Sequence, residues 1–282
     1  MVRPKLTEQR EIVEALRTDY SVRQICEVLG FTRSNLYYRP KQDPSEDILC
    51  DEIEALALRY PTYGYRRITQ LLRQMGYAVG SKRVARLMKA ANLSVAVKRV
   101  CQTSTSLDEP RPWVNRVETL EVSRCDQVWV GDITYVHLKS RFVYVALLMD
   151  VFTRMIRGWH ISQHLTQPLT LKPLKEALHR SVPEIHHSDQ GVQYLSNTYI
   201  STLRDYGVEI SVARRGHPWE NGYAERLIRT LKEEEVHLND SEDIHEARNR
   251  IGHFIEHVYH QKRPHSALDY LTPMEFQKQN LD

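Results

Sequence analysis

Three carboxylates occupy three separate stretches of this 282-residue chain. Asp132 lies in Val-Trp-Val-Gly-Asp-Ile-Thr-Tyr, Asp189 in His-Ser-Asp-Gln-Gly-Val-Gln-Tyr, and Glu225 in Glu-Asn-Gly-Tyr-Ala-Glu-Arg. Residues 133–188 separate the first two, and the 35 residues 190–224 separate the second from the third. Carboxylates are hard oxygen ligands suited to Mg²⁺, an ion that keeps several waters for substrate phosphates. Two such ions can generate hydroxide from water, or activate a DNA 3′-hydroxyl, for in-line displacement at phosphorus. The pattern therefore points to phosphodiester chemistry on nucleic acid. Each residue also has an ordinary reading. A single Asp in a strand is often a turn or edge residue, and Glu225 alone would be a helix-surface charge. Asp150 follows an apolar strand too and competes with Asp132 for the first position. His187 and Ser188 are read as support for the loop around Asp189, not as metal ligands.

The elements that must position these groups are legible in the hydrophobic pattern. From Gln127 onward the periodicity changes from helical to alternating. Gln127–Leu138, Arg141–Asp150 and Arg154–Ile161 read as three successive antiparallel strands. A helix over Pro168–Ser181, a strand over Glu184–His187, a helix over Asn197–Tyr206 and a strand over Val208–Val212 continue an α/β series. Helices over about 219–237 and 242–260 close it. Asp132 then sits mid-strand, Asp189 directly follows the fourth strand, and Glu225 sits on a helix that begins after Pro218. Glu225, Arg229 and Lys232 fall at i, i+4 and i+7 and share one helix face. Lys232 is placed to hold a DNA phosphate there, or more simply to pair with neighbouring acids.

The front of the chain is helical and basic. Glu8–Thr18 reads as one helix, Ser21 as the cap of a second over Val22–Val28, and Gly30 as a left-handed turn. Thr32 then caps Arg33–Tyr38, which Pro40 helps terminate. Helix, tight turn and helix make residues 1–40 a helix-turn-helix, with Arg33 and Asn35 as candidate DNA contacts. A plain three-helix bundle without a DNA role fits the same pattern. A second such unit spans 46–100, with helices over Asp47–Arg59, Arg66–Gln74 and Lys82–Ala91, the last capped by Ser81. Its candidate contacts are Arg66, Arg67, Lys82, Arg83, Arg86 and Lys89. Residues 101–125, rich in Thr, Ser, Pro and Arg, read as a linker, and 261–282 as a C-terminal tail.

Charge supports this division. Residues 1–100 hold 18 Lys/Arg against 11 Asp/Glu, whereas 101–282 hold 21 against 25. Residues 55–100 contain ten basic residues and no acidic one. A basic helical stretch is the footprint expected for a phosphate backbone, because ordinary surfaces intersperse both signs. Other classes are disfavoured. No run approaches the roughly 18 apolar residues of a membrane span, and the first residues lack an apolar signal core. A bacterial cytoplasmic location is expected. The four cysteines form no Cys-x-x-Cys pair, and all 13 histidines lie at or after His137. A disulfide framework, a zinc clamp and an N-terminal zinc domain are therefore not expected.

With these residues in view, the chain resembles the OrfB-type transposases of bacterial insertion sequences, which have a retroviral-integrase-like catalytic core. The matching pieces are Tyr63-Gly-Tyr-Arg-Arg-Ile, Lys82-Arg-Val-Ala-Arg-Leu-Met, Trp129-Val-Gly-Asp-Ile-Thr-Tyr and His187-Ser-Asp-Gln-Gly-Val-Gln-Tyr. Asn221-Gly-Tyr-Ala-Glu, Leu231-Lys-Glu-Glu and Arg263-Pro-His-Ser-Ala-Leu follow in order. The resemblance implies an α/β ribonuclease-H-like core over 126–260, a mixed five-stranded sheet with flanking helices, preceded by all-α helix-turn-helix units. It implies that Asp132, Asp189 and Glu225 are the catalytic, metal-binding triad, using Mg²⁺ with Mn²⁺ able to substitute. It implies binding to terminal inverted repeats, cleavage that frees a 3′-hydroxyl, and transfer of that end to target DNA. At least a dimer is expected, since two DNA ends are joined. The resemblance also implies an upstream helix-turn-helix and leucine-zipper partner, which this chain, having no heptad run, does not itself contain. Two positions depart from the family pattern: Glu220 where Asp is usual, and Tyr259-His260 where Tyr-Asn is usual. The competing readings are a catalytically silent DNA-binding regulator and a ribonuclease-H-like nuclease.

Overall fold

A computed structural model of the chain describes residues 6–30, 32–37, 44–93, 113–139 and 141–280. The chain divides into two compact units, one up to Glu52 and one from Ile53 onward. In the first, α1 (Leu6–Leu16), α2 (Val22–Leu29) and α3 (Arg33–Tyr37) surround a small core of Val13, Ile25 and Cys26. Ser21 caps α2 reciprocally with Gln24, whose side chain accepts from the Ser21 N–H. Gly30 ends the helix at φ 68°, a conformation open to glycine without steric cost. Both expected punctuation marks are therefore in place. Arg33 is exposed, and the Asn35 side chain lies outside the described residues.

The division into units falls inside α4 (Pro44–Arg59). In the second unit, α5 (Tyr65–Gln74) and α6 (Ser81–Ala90) pack on each other. Ile68 and Leu72 are buried on α5, and Val84, Leu87 and Met88 on α6. These apolar positions recur at three- and four-residue spacings, which leaves the basic side chains to the other faces. The residue preceding α6 is Gly80, so Ser81 is the first helical residue and not its cap.

The five-stranded mixed sheet is present, in the order β3-β2-β1-β4-β5. The strands are β1 (Val128–His137), β2 (Phe142–Asp150), β3 (Ile156–Ser162), β4 (Ile185–Ser188) and β5 (Glu209–Val212). The first three pair antiparallel, while β4 runs parallel to both β1 and β5. Side-chain alternation distributes β1 to two cores. Val128 and Val130 pack with α9 (Gly222–Leu231) and α10 (Ile244–His253), through Ala224, Leu227, Leu231 and Ile251. Trp129 faces the other way, into Leu174 and Leu178 of α7 (Pro168–Leu178) and Tyr199 and Leu203 of α8 (Asn197–Asp205). Gly158 of β3 lets α7 approach closely, since a Cβ there would stand 2.5 Å from the Pro173 carbonyl oxygen.

Two segments are more integrated than their composition suggests. Residues 113–125, read as linker, lie against the core: Val117, Leu120 and Val122 pack on it, and the Val212 N–H donates to the Val114 carbonyl at 3.2 Å. The expected tail continues the core as well. Arg263 is 4 % exposed, Phe276 packs against Phe152, and Thr272 caps α11 (Pro273–Gln279) through a box with Glu275. Composition marks these segments as polar, yet a few well-spaced apolar side chains suffice to fasten them.

Candidate active site

Register places the first two carboxylates side by side. Gly131 of β1 pairs with Ser188 of β4 in the parallel ladder, so Asp132 and Asp189 are the next residues along adjacent strands. Pairing with β4 stops at Gly131, which leaves the edge of β1 open from Asp132 onward. Asp132 shares the parity of Val128 and Val130, the face on which α9 packs. Glu225 stands in the first turn of that helix. Asn221, just before α9, donates to the Gly131 carbonyl at 3.2 Å and ties the helix start to the strand beside Asp132.

Electrostatics couples Asp132 to the other two acids. Burial raises the Asp132 carboxyl to about 7, with the Asp189 and Glu225 charges adding to the effect. The Ile133 N–H, 2.7 Å from Oδ1, and the Lys232 ammonium oppose it. Burial likewise raises Asp189 against a hydrogen bond of 2.9 Å from the Gly191 N–H, and raises Glu225 against the Arg229 charge. Lys232 is lowered by burial and supported by Asp132, and its Nζ lies 4.2 Å from the centroid of the Tyr135 ring. Lys232 is therefore coupled to Asp132 rather than merely to the acids on its own helix. Among the described residues, no group of three His, Cys, Asp or Glu side chains is arranged to hold an ion as it stands. The donor chemistry nevertheless fits a hard divalent cation: three carboxylates, two of whose charges act on Asp132, with no sulfur or imidazole in the set.

The residues around these acids have local partners of their own. Asp150 is fully buried and its carboxylate is used locally, accepting from the Thr153 N–H at 2.8 Å and the Asp126 N–H at 3.1 Å. It closes the β2–β3 hairpin. His187 is buried, pushed down to about 4 by that burial, and spans Ser211 Oγ at 2.8 Å and the Glu220 carbonyl at 3.1 Å. It ties β4 to β5 and to the turn before α9. Glu220, one of the departures from the family pattern, pairs with Arg214. Burial alone would raise it, but hydrogen bonds from Arg214 and Asn115 hold it below the usual carboxylate range. His260, the other departure, accepts the Ile156 N–H at 3.0 Å.

One residue of this site carried no role in the sequence reading. Tyr194 is 4 % exposed, and its hydroxyl has no hydrogen-bond partner among the described residues. The Asp132 and Asp189 charges both act on it. Its ring occupies the space above Gly131, where a Cβ would come within 3.1 Å of Cε1. Its place at the end of the Asp189 motif was the available signal.

The DNA-contact candidates divide. Lys82, Arg86 and Lys89 lie exposed on α6 at i, i+4 and i+7, and Arg83 is half-buried. Arg66 is exposed on α5, and Arg229 is exposed on α9. Arg67 instead turns inward: its Nη1 lies 2.9 Å from the Glu234 carboxylate, which also receives Arg263 through both oxygens. Glu234 reaches them from a π-helical turn, Lys232–Val236, that continues α9.

Comparison with known proteins bears directly on this arrangement. Two family models described as an integrase core domain match residues 123–218 and 206–273, and an HTH-like domain model matches residues 44–100. The transposase for insertion sequence element IS904 of Lactococcus lactis subsp. lactis (strain IL1403) is 34 % identical over 255 residues, covering 87 % of this chain and all of the relative. The chain belongs to the insertion-sequence transposases. A second relative, the insertion element IS600 uncharacterized 31 kDa protein of Shigella sonnei, is 32 % identical over 265 residues, 90 % of this chain and 97 % of its own. Among solved structures, the HTLV-2 integrase catalytic core domain in complex with magnesium (trimeric form) is 18 % identical, covers 55 % of this chain and 97 % of its own, with a TM-score of 0.44. The transposase combines a helix-turn-helix-like unit with an integrase core domain built on a five-stranded mixed sheet. It is a polynucleotidyl transferase of the DDE type, acting in DNA strand cleavage and transfer. No helix among the described residues is long and apolar enough to cross a membrane.

Proposed function

We propose that Asp132, Asp189 and Glu225 are the catalytic triad of this transposase and hold divalent cations, Mg²⁺ with Mn²⁺ able to substitute. The observation that carries the reading is the Asp132 carboxyl, raised to about 7 by burial and by the two other acids of the set. A divalent cation would relieve the repulsion that Asp189 and Glu225 exert on Asp132. Bound there, the ions supply charge stabilisation and activation of the attacking oxygen for in-line displacement at phosphorus. Asp132 and Asp189 hold their carboxylates at fixed positions on adjacent strands, and Asn221 keeps the helix of Glu225 against them. Lys232 and Arg229 present positive charge to the DNA strand on the same helix face. In the first step a water oxygen bonds to phosphorus as the bond to the 3′-oxygen breaks. In the second, the freed 3′-hydroxyl bonds to a target phosphorus as that phosphodiester breaks.

The DNA partners in this reading are the element's terminal inverted repeats and its target. Arg33 and Asn35 contact DNA in the first unit, and Arg66, Lys82, Arg83, Arg86 and Lys89 in the second. The protein works as a dimer or higher assembly, with an upstream helix-turn-helix and leucine-zipper partner, in the bacterial cytoplasm. The test uses labelled DNA from the gene's own flanks with Mg²⁺ or Mn²⁺. Asp189→Asn is expected to give no nicked or joined product while binding DNA within about twofold of wild type, a factor worth less than ~1 kcal/mol. Cutting at the wild-type rate overturns the triad.

A further inference from the structure

On the face of α9 turned away from Glu225 lies a cavity of about 240 Å³ lined by Arg67, Arg154, Arg226 and Arg263, together with Thr230 and His265. No carboxylate lines it. Glu234, behind it, is engaged by Arg67 and Arg263 together, so one negative charge answers two guanidiniums. Arg154 adds a third: its Nη1 is buried without a hydrogen-bond partner among the described residues, and its guanidinium stacks 4.4 Å from the Tyr223 ring centroid. Arg226 is exposed at the same place. The convergence shows at His265, which burial and then Arg263, Arg67 and Arg154 push far below the usual imidazole range. Arg154 sits at φ 63° at the end of the β2–β3 turn, where its N–H donates to the Asp150 carbonyl at 3.0 Å.

We propose that this cavity is a backbone-phosphate site, in which Arg154, flanked by Arg67, Arg226 and Arg263, receives a phosphodiester group of DNA held by the transposase. Guanidinium forks match phosphate oxygens in pairs, and the four guanidiniums lining this cavity outnumber the one carboxylate shared by Arg67 and Arg263. Two neighbours supply the direction of the strand. Arg67 comes from α5, within residues 55–100, where ten basic side chains occur and no acidic one. Arg226 and Thr230 come from α9 itself, about 100° and 140° round the helix from Glu225. The site thus stands about 10 Å from Glu225, the width of one helix. A strand bound by the basic helices and presented to Glu225 passes it. Its phosphate is not the one that reacts, and the site's role is to fix the strand's path.

The experiment titrates the full chain against fluorescent duplex from the gene's flanks, with chelator and no divalent metal, at a series of NaCl concentrations. Omitting metal separates this proposal from the triad, whose failure would show in cleavage and not here. Each phosphate contact adds about 0.9 to the slope of log affinity against log salt. Arg154→Gln is expected to reduce the slope by about one, Arg226→Gln to do the same, and Arg154→Lys to retain it. Arg226→Gln, at an exposed position, keeps the test valid if Arg154→Gln disturbs folding by circular dichroism. An unchanged slope in both Gln variants overturns the proposal. If self-association in sedimentation is lost with the slope unchanged, the cavity receives an acidic side chain of a second copy, and the proposal is overturned. Stabilisation of wild type alone by inorganic phosphate, again with unchanged slope, makes it a free-anion site and overturns it equally.

Discussion

Asp132→Asn should make the metal-free transposase more stable, although it removes a residue assigned to catalysis. The Asp132 carboxyl is raised from 3.8 to about 7 by burial and by Asp189 and Glu225. At ~1.36 kcal/mol for each tenfold change in proton affinity, that displacement corresponds to at most about 4 kcal/mol. Asp132 is only half-buried, so solvent screening reduces the realised value to about 1–3 kcal/mol. The pH window follows from the direction. Between about pH 4 and 7 the folded protein retains a proton that the unfolded chain has released, so stability falls as pH rises, and it levels off above 7. Asn cannot ionise, yet its side-chain oxygen can still accept the Ile133 N–H. The gap between variant and wild type should therefore be small near pH 4 and fully open by pH 8. For a unit the size of residues 53–282, each kcal/mol moves the midpoint by about 2–4 °C. Thermal denaturation in chelator should show the variant ahead by about 2–12 °C at pH 8. Added Mg²⁺ should close the gap by stabilising wild type alone, because only the native triad binds it. A variant less stable than wild type at pH 8, or a gap independent of pH, would refute the reasoning.

Two further expectations concern the scaffold. Glu234→Gln leaves the buried Arg263 and the half-buried Arg67 without their shared counter-charge. Breaking a buried pair in this way costs about 3–5 kcal/mol; urea denaturation checks it, and a loss below ~1 kcal/mol would show that the guanidiniums find water instead. Gly158→Ala places a methyl group 2.5 Å from the Pro173 carbonyl oxygen. A destabilisation of about 1–3 kcal/mol is expected from the forced shift of α7, and wild-type stability would mean the helix withdraws freely.

The integration of Arg67 into the Glu234–Arg263 network shows how a local sequence reading stops short. Its neighbours at 66 and 82–89 form the basic stretch expected of a DNA-binding unit, and nothing in their spacing separates Arg67 from them. The distinction comes from Glu234, 167 residues later, which reaches it from a π-helical turn at the end of α9. The same limit applies to Arg154, whose unusual backbone and unpartnered guanidinium leave no mark in composition or periodicity.

By itself the sequence determined what depends on local periodicity and punctuation. Alternating apolar residues set the strands to within a residue or two, and Ser21 and Gly30 bounded a helix. The three motif carboxylates marked the candidate site, and an acid such as Asp132 in an otherwise apolar strand is costly unless it has a use. Tertiary structure alone decided which groups meet. Parallel pairing of β1 with β4 set Asp132 beside Asp189, and α9, which carries Glu225 in its first turn, packs on the even-numbered face of β1 where the Glu225 charge acts on Asp132. It also separated Asp150, consumed by its hairpin, from Asp132, left with an open strand edge. The physical reason is range: backbone propensities act over a few residues, whereas burial and charge coupling depend on distances that only the folded chain fixes.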